Sequence, residues 1–520
     1  MPTASRTPAA TTPGGSRVIS FFLLLAVARM ADDTAGVVGW ILTVAVAWLY
    51  FQTPPAVAMQ ASVAGILASL PIALVVATSI LQVTLMIETG AIARVVALVK
   101  SVAPADRVVQ IMIINVGFGT MLTALGAVPV SILPPIMIAL GYSSFAAIAL
   151  PALGYDALTT YALLGIPVVV FAGFVGRPVG EVGGYFARYM PVISTCIAVG
   201  MLWLVGRWNM VRQGALPALL AGLTAGLLCM ATTAAGLVTV TGIVAGLGVV
   251  LVMLAYLKVR GRPLRDRGCL GPADLAAEER LSLGAAISPW ALLTVLALVV
   301  NAPFLPFFDL VFQRWAMPVE IIPGAPERVR LFWQAYFWIL VSTLLALPFL
   351  KPTRAQLTTT ARKWLKRAPR PVLAAAIFFA IAFVINHSGK GTDWQLAVPQ
   401  NNMVHVLATA SAAALGRLYP LVSPLLGLLG GFVSGSETSS IAMLTALHLD
   451  TAGRIGANGL LIAAASGIGG GLASSISPAK LQNASAAIDA IGEESHVIRH
   501  TLVVALAITV VCAIMTLLWS

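Results

Sequence analysis

The segment Gly430–Ser440, GGFVSGSETSS, concentrates polar groups between two apolar runs. A continuous lipid-facing helix would not carry this composition, so we predict an unwound helix break or a re-entrant hairpin. A broken helix exposes backbone N–H groups and a positive dipole end, which suit an anion such as a carboxylate. The candidate anion-binding residues here are Gly435, Ser436, Thr438, Ser439 and Ser440. The alternative is a small-residue helix contact.

Glu437 is the acidic residue of this segment. A charged group within the hydrocarbon region is costly, and such groups usually mark a functional site. We therefore predict that Glu437 is a proton-carrying or gating carboxylate. The alternative is that its side chain only reaches the membrane interface.

A second polar interruption follows at Gly467–Lys480, GIGGGLASSISPAK. Three successive glycines are expected to unwind a helix here, and Pro478 can begin a new one. Ser477 is a candidate substrate ligand. Lys480 is expected to attract an anionic substrate or to pair with Glu437. The alternative is that it marks a cytoplasmic helix end.

The N-terminal half has comparable features. Asn115–Gly126 is predicted to be a Gly/Thr break, with Gly119, Thr120 and Thr123 as candidate ligands, and Asp156 is a candidate charged group further along. Gly165 and Pro167 follow Asp156 at a second interruption. Interrupted segments in corresponding places of two halves indicate an internal repeat around a central site.

Composition assigns these segments to a membrane protein. Of 520 residues, 59% are hydrophobic and only 10% are charged, and the net charge is +12. Soluble domains average about 25% charged residues. The basic residues fall mostly in short loops between apolar runs, which is typical of cytoplasmic loops and not of a nucleic-acid-binding protein. We expect an all-α polytopic membrane protein with about 12 to 15 membrane segments, each near the roughly 20 residues that a bilayer requires.

Charge patterning divides the chain. Residues 1–17 are predicted to be a flexible tail, 18–257 an N-terminal membrane repeat, 258–285 a cytoplasmic linker and 286–520 a C-terminal membrane repeat, the two repeats being inverted. The basic stretches Lys258–Arg267 and Lys351–Arg370 are both expected in the cytoplasm. Pro303–Arg330, between them, would then face outside.

Other motifs give weaker signals. The four cysteines form no CxxC pair, so we expect neither a metal site nor a disulfide framework, and no cofactor is predicted. The GxxxG pairs Gly222–Gly226 and Gly242–Gly246 predict close helix packing. No Ser-His-Asp, HExxH or GxSxG arrangement is present, which disfavours a membrane hydrolase.

At these interruptions the sequence resembles the lactate permease family of bacterial secondary transporters. GFVSGSETSSIAMLTAL at Gly431–Leu447 is similar to that family's G-x-F-x-x-G-S-[DE]-T-S-S-N segment. Further similarities lie at Phe383–Gly389, Ile476–Pro478, Gly117–Thr120 and Gly165–Pro167. The chain departs from the family where Thr123–Pro129 lacks an acidic residue, and where Lys480 replaces an uncharged one.

The resemblance implies a carrier of lactate or glycolate, coupled to protons, in the bacterial inner membrane. The expected partners are a small organic anion, a proton and the lipid bilayer, without nucleic acid. The alternatives are a carrier for another organic anion, a membrane-embedded enzyme and a channel.

Overall fold

The computed structural model describes residues 32–102, 106–126, 129–268, 270–301, 305–490 and 492–520. The predicted tail at 1–17 and the expected first membrane segment near Arg17 lie outside the described residues.

The N-terminal part is a series of helices joined by short connections. Its α-helices are α1 (Asp32–Leu49), α2 (Pro55–Glu88), α3 (Ala91–Ser101), α4 (Arg107–Ile111), α5 (Gly119–Ala124), α6 (Pro129–Ala139), α7 (Ser144–Tyr155), α8 (Ala162–Val175), α9 (Val179–Ala187), α10 (Met190–Ala234) and α11 (Thr241–Val259). A π-helix (Met112–Phe118) joins α4 to α5, and 3₁₀ turns lie at Asp156–Tyr161 and Val238–Val240.

The C-terminal part continues the helical pattern. Its α-helices are α12 (Pro272–Arg280), α13 (Leu283–Asn301), α14 (Phe307–Asp309), α15 (Ala335–Leu350), α16 (Arg354–Arg367), α17 (Pro369–His387), α18 (Met403–Leu415), α19 (Tyr419–Ser434), α20 (Glu437–Ile455), α21 (Gly459–Leu472), α22 (Pro478–Ala486) and α23 (Glu494–Trp519). A short π-helix (Leu310–Arg314) follows α14, and 3₁₀ turns lie at Pro399–Asn401, Gly416–Leu418 and Ala473–Ile476.

Hydropathy and length confirm a polytopic helical membrane protein. Within the described residues, eight helices are long and apolar enough to cross a bilayer, or nine if the bent pair α12–α13 is one span. Four shorter apolar helices of 10–17 residues add to these. The 12 to 15 membrane segments expected from the sequence therefore include elements too short to cross a bilayer unaided.

The long helix α10 is a hairpin. Its 45 residues have non-helical backbone angles at Gly206 and Arg207. A Cβ atom at Gly222 would collide with the backbone of Thr195, and one at Gly226 with the backbone of Pro191. In each of these two contacts, the midpoint in the sequence falls just beyond Arg207. The two halves of α10 therefore run antiparallel.

The GxxxG pairs provide the close packing that the sequence predicts. Gly222 and Gly226 let the two arms of α10 approach at backbone distance. In α11, a Cβ atom at Gly246 would lie 2.5 Å from the Gly117 carbonyl oxygen, and one at Gly242 would lie 2.6 Å from the Ala124 Cβ. These glycines bring α11 against the π-helix and α5.

The linker between the two predicted halves is an ordered ionic cluster against α3. Glu278 of α12 accepts contacts from Arg94, Arg265 and Arg267, and its side chain is only 7% exposed. Lys100 Nζ lies 2.9 Å from Asp274 Oδ1. These ion pairs fasten α12 and its preceding loop to the end of α3.

One antiparallel β-hairpin interrupts the helical pattern. Strands β1 (Met317–Ile322) and β2 (Ala325–Val329) pair with Met317 opposite Val329. The hairpin lies in the segment that the charge pattern places outside the membrane. The sequence analysis predicted no strand here.

Candidate substrate-binding site

The predicted break in Gly430–Ser440 is present and its geometry is set by one glycine. Helix α19 ends at Ser434, and Gly435 adopts a left-handed φ of +65°. Ser436 then caps α20, its hydroxyl accepting from the Ser439 N–H at 3.4 Å. Glycine is favoured at such a position because it has no Cβ. The break therefore gives α20 an N-terminus inside the protein.

Glu437 is the first residue of α20 and is 3% exposed. Its Oε1 accepts a hydrogen bond from the Thr160 hydroxyl at 2.7 Å. Its Oε2 is buried and has no hydrogen-bond partner among the described residues. A negative charge is stabilised at a helix N-terminus. The site thus holds a carboxylate of which one oxygen is hydrogen-bonded and the other has no partner among the described residues.

The three successive glycines do not unwind their helix, contrary to the sequence prediction. α21 continues through Gly469, Gly470 and Gly471 to Leu472. A Cβ atom at Gly471 would lie 2.6 Å from Glu437 Oε2, and one at Gly431 of α19 would collide with the Gly470 carbonyl. The glycines instead allow α21 to touch both α19 and the Glu437 carboxylate.

The second interruption begins after these glycines. The 3₁₀ turn Ala473–Ile476 ends at Ser477, and Pro478 begins α22 as predicted. Ser477 is buried, and its hydroxyl has no hydrogen-bond partner in the described part of the chain.

Lys480 lies one turn into α22 and is half-buried. Its Nζ donates to the Ser474 hydroxyl at 2.6 Å and lies 4.1 Å from the centre of the Tyr155 ring. Lys480 therefore interacts with Ser474 and Tyr155. Its attraction of an anion and its pairing with Glu437 stay predictions.

The break predicted within Asn115–Gly126 lies at the end of that segment, at Gly126, and not around Gly119. The chain remains helical from Arg107 to Ala124, with a π-helix absorbing the glycine-rich stretch. The Gly119 N–H donates within the helix to the carbonyls of Ile114 and Val116, so it is not open to a ligand. The chain leaves the helix later, at Gly126, which has a φ of +82°.

The threonines of this region have different surroundings. The Thr123 hydroxyl donates to the Gly119 carbonyl at 2.8 Å. The Thr120 hydroxyl is buried and has no partner among the described residues. Asn115 of the π-helix likewise has an unpaired buried Oδ1. π-helical turns recur at functional sites, and this turn is a feature that the sequence analysis did not predict.

The 3₁₀ turn Asp156–Tyr161 brings the N-terminal half to Glu437. Backbone angles are non-helical at Leu158 and left-handed at Leu163, Leu164 and Gly165, so an interruption is present here as expected. The side chain of Asp156 lies outside the described residues. Thr160 makes the contact with Glu437, and the sequence gave no reason to prefer it to Thr159.

The remaining candidates at the break are buried. The Ser440 hydroxyl donates to the Gly427 carbonyl at 3.1 Å, which ties α20 to α19. Thr438 and Ser439 are 5% and 3% exposed. Two cavities lie elsewhere, one between the β-hairpin and α2 and the other beside Trp333.

Comparison with known proteins supports the resemblance across the chain. The family model for L-lactate permease matches residues 14–520. An L-lactate permease of Escherichia coli K12 is 26% identical, covering 96% of this chain and 94% of that protein. Glycolate permease GlcA of the same organism shows the same identity and coverage.

A permease of another bacterium is similar to this chain over the same length. The L-lactate permease of Bacillus subtilis 168 is 24% identical, again over 96% of this chain and 94% of its own length. This chain belongs to the L-lactate permease family, whose members are transporters and not enzymes.

Proposed function

We propose that this chain carries a small monocarboxylate, lactate or glycolate, across the bacterial inner membrane together with a proton. The names of its relatives in Escherichia coli and Bacillus subtilis support this substrate class. The observation that carries the proposal is the buried Glu437 carboxylate at a helix break, with Oε1 bonded to Thr160 and Oε2 unpaired.

The substrate carboxylate binds at the N-terminus of α20. The dipole and the N–H groups there favour an anion, and the hydroxyls of Ser436, Thr438 and Ser439 lie in the same turn. Ser477 and Thr120 add buried hydroxyls without partners in the described residues. Lys480 contributes a positive charge near the start of α22.

Coupling follows from the position of Glu437. An ionised carboxylate repels a second anion strongly in a poorly solvated site, because Coulomb energies rise as the dielectric constant falls. A proton on Glu437 removes that repulsion, so substrate and proton bind together more favourably than either does alone. Reciprocal coupling of this kind is what symport requires.

Access to the site requires movement. The Glu437 carboxylate is packed against Thr160 and Gly471, so the break at Gly435 and the 3₁₀ turn Asp156–Tyr161 must separate to admit a substrate. We assign these two elements to two inverted repeats, 18–257 and 286–520, joined by the linker 258–285.

The order of elements supports the repeat assignment. In each half a helix ends at a left-handed glycine (Gly126 or Gly435) and a second ends at another (Gly141 or Gly456). A third helix is then followed by a 3₁₀ turn, Asp156–Tyr161 or Ala473–Ile476.

Uptake by reconstituted vesicles tests this function. Proteoliposomes with an inward proton gradient should accumulate labelled L-lactate above its external concentration, with saturation. Unlabelled glycolate should compete, whereas succinate should not. A channel would equilibrate lactate without accumulating it, and a carrier for another anion class would be inhibited by that class instead.

A further inference from the structure

The two basic stretches of the chain differ in how their charge is compensated. In the linker, arginines pair with acidic residues, including Asp106 and Glu278. Lys351–Arg370 contains seven basic residues and no acidic one. Lys363 pairs with Glu88 outside the stretch, whereas four of the other basic residues make no ion pair in the described part of the chain.

Helix α16 carries most of this second stretch on its surface. Four of its basic residues are exposed and make no ion pair within the described part of the chain: Arg354, Arg362, Lys366 and Arg367. Leu357 and Leu365 of the same helix are 41% and 64% exposed. With Ala361 between them, these leucines follow an i, i+4, i+8 spacing and share one face of the helix.

The helix is held in a fixed place beside α2. Gln356 Nε2 donates to the Glu88 carbonyl at 2.8 Å, Lys363 Nζ lies 2.6 Å from Glu88 Oε1, and Trp364 Nε1 donates to the Ala77 carbonyl at 2.8 Å. A capping box between Thr353 and Gln356 fixes its start. α16 is thus anchored through Gln356, Lys363 and Trp364, while its leucines and its basic residues without an ion pair in the described part of the chain are exposed.

The length of α2 places this assembly at a membrane boundary. Its 34 residues extend about 51 Å, whereas a hydrocarbon core is about 30 Å thick. α2 is therefore longer than the hydrocarbon core is thick, and its end that contacts α16 can extend into the headgroup layer. An anchored helix with exposed leucines beside unpaired arginines has the composition of an interfacial membrane helix.

We propose that α16 is a binding surface for anionic phospholipids, with Arg354, Arg362, Lys366 and Arg367 contacting headgroup phosphates while Leu357 and Leu365 enter the acyl boundary. The partner is the bilayer itself: charge complementarity selects an anionic headgroup, and the exposed leucines select a lipid over a free anion. This inference does not depend on the transported substrate.

Native mass spectrometry of the full chain tests the proposal. The protein is released from nanodiscs made of equal parts phosphatidylcholine and phosphatidylglycerol, and the bound lipids are counted. We expect phosphatidylglycerol to be enriched on the unaltered protein. In the variant R354Q/R362Q/K366Q/R367Q the enrichment should fall at least about fivefold.

Two matched variants make the result specific. R354K/R362K/R367K keeps the charge and should keep the enrichment. K258Q/R260Q/R212Q/R417Q removes four other exposed basic residues and should leave the enrichment unchanged. The proposal would be overturned if this control lost as much phosphatidylglycerol enrichment as the α16 variant. It would also be overturned if the unaltered protein, while monodisperse, showed no enrichment. Either result would mean that the charge on α16 is only solvated.

Discussion

Thr160 and Glu437 are 277 residues apart in the chain, yet the hydroxyl of Thr160 donates to the Glu437 carboxylate at 2.7 Å. One residue belongs to a 3₁₀ turn of the N-terminal half and the other to a helix break of the C-terminal half. This contact joins the two interruptions directly. A movement that separates these two elements must break this hydrogen bond.

Glu437→Gln tests the proposed coupling. Glutamine keeps the shape of the side chain but cannot exchange a proton at working pH. We expect the variant to lose accumulation of lactate, so that the internal concentration only equals the external one, while exchange of labelled for unlabelled lactate continues. A one-unit pH gradient drives about tenfold accumulation by a one-proton symporter.

Proteoliposome uptake measured with and without the gradient checks this result. Glu181→Gln is the control, because Glu181 lies at the surface and, among the described residues, pairs only with Arg177. Full accumulation by the Glu437 variant would remove this residue from the coupling mechanism.

Thr160→Val tests the contact between the halves. Valine has a similar volume but no hydroxyl, so Glu437 Oε1 loses its donor. A buried hydrogen bond to a charged group contributes about 1.5–3 kcal/mol, and we expect at least about a tenfold lower uptake rate. Thr160→Ser should restore transport. Thr445→Val should transport normally, because within the described part of the chain the Thr445 hydroxyl bonds only to the Ile441 carbonyl of its own helix.

Gly471→Ala tests the close approach of α21 to the carboxylate. The added Cβ would lie 2.6 Å from Glu437 Oε2, which must shift and disturb the Thr160 hydrogen bond. We expect a large loss of uptake in a protein that still purifies as a single species.

Gly453→Ala is the matched control for this change. Gly453 lies on α20 with no neighbour within 4 Å of an added Cβ. Alanine there should raise the free energy of unfolding by about 0.5–1 kcal/mol and leave uptake unchanged. Similar uptake by the two variants would contradict the role assigned to Gly471.

Glu278 predicts a pH-dependent stability of the linker. The hydrogen bond from Arg267, together with the charges of Arg94 and Arg265, holds the pKa of Glu278 below its ordinary value of 4.5. A carboxylate with a lowered pKa stabilises the fold above its unfolded pKa, and this contribution is lost as pH falls through the folded pKa. Glu278→Gln should therefore lower the melting temperature at pH 7.

The difference between Glu278→Gln and the unaltered protein should shrink as pH falls below about 4.5. Differential scanning fluorimetry across this range measures it. Glu279→Gln removes the neighbouring charge and is the control. An equal melting temperature for both variants at pH 7 would show that the arginine cluster adds no stability.

Local sequence predicted the features that local chemistry controls. Gly435 marks the break between α19 and α20 because only a residue without Cβ readily adopts its left-handed angle. Pro478 begins α22 for a similarly local reason, since its missing N–H is not needed in a first turn. Composition alone was sufficient to identify a helical membrane protein.

Features that depend on distant partners were not predictable. Gly469–Gly471 were expected to unwind a helix, but the proximity of α19 and Glu437 makes the same residues a packing surface. The stretch around Gly119 stayed helical because a π-turn satisfies its N–H groups. Thr160 was not distinguishable from Thr159 until the fold placed one of them against an acid.

The hairpin within α10 determines on which side of the membrane the later loops lie. Its two arms return the chain to the face from which it entered, whereas a single 45-residue crossing would deliver it to the opposite face. A topology map that counts α10 once would invert the sidedness of every later loop. Reporter fusions placed before Met190 and after Ala234 should consequently report the same compartment.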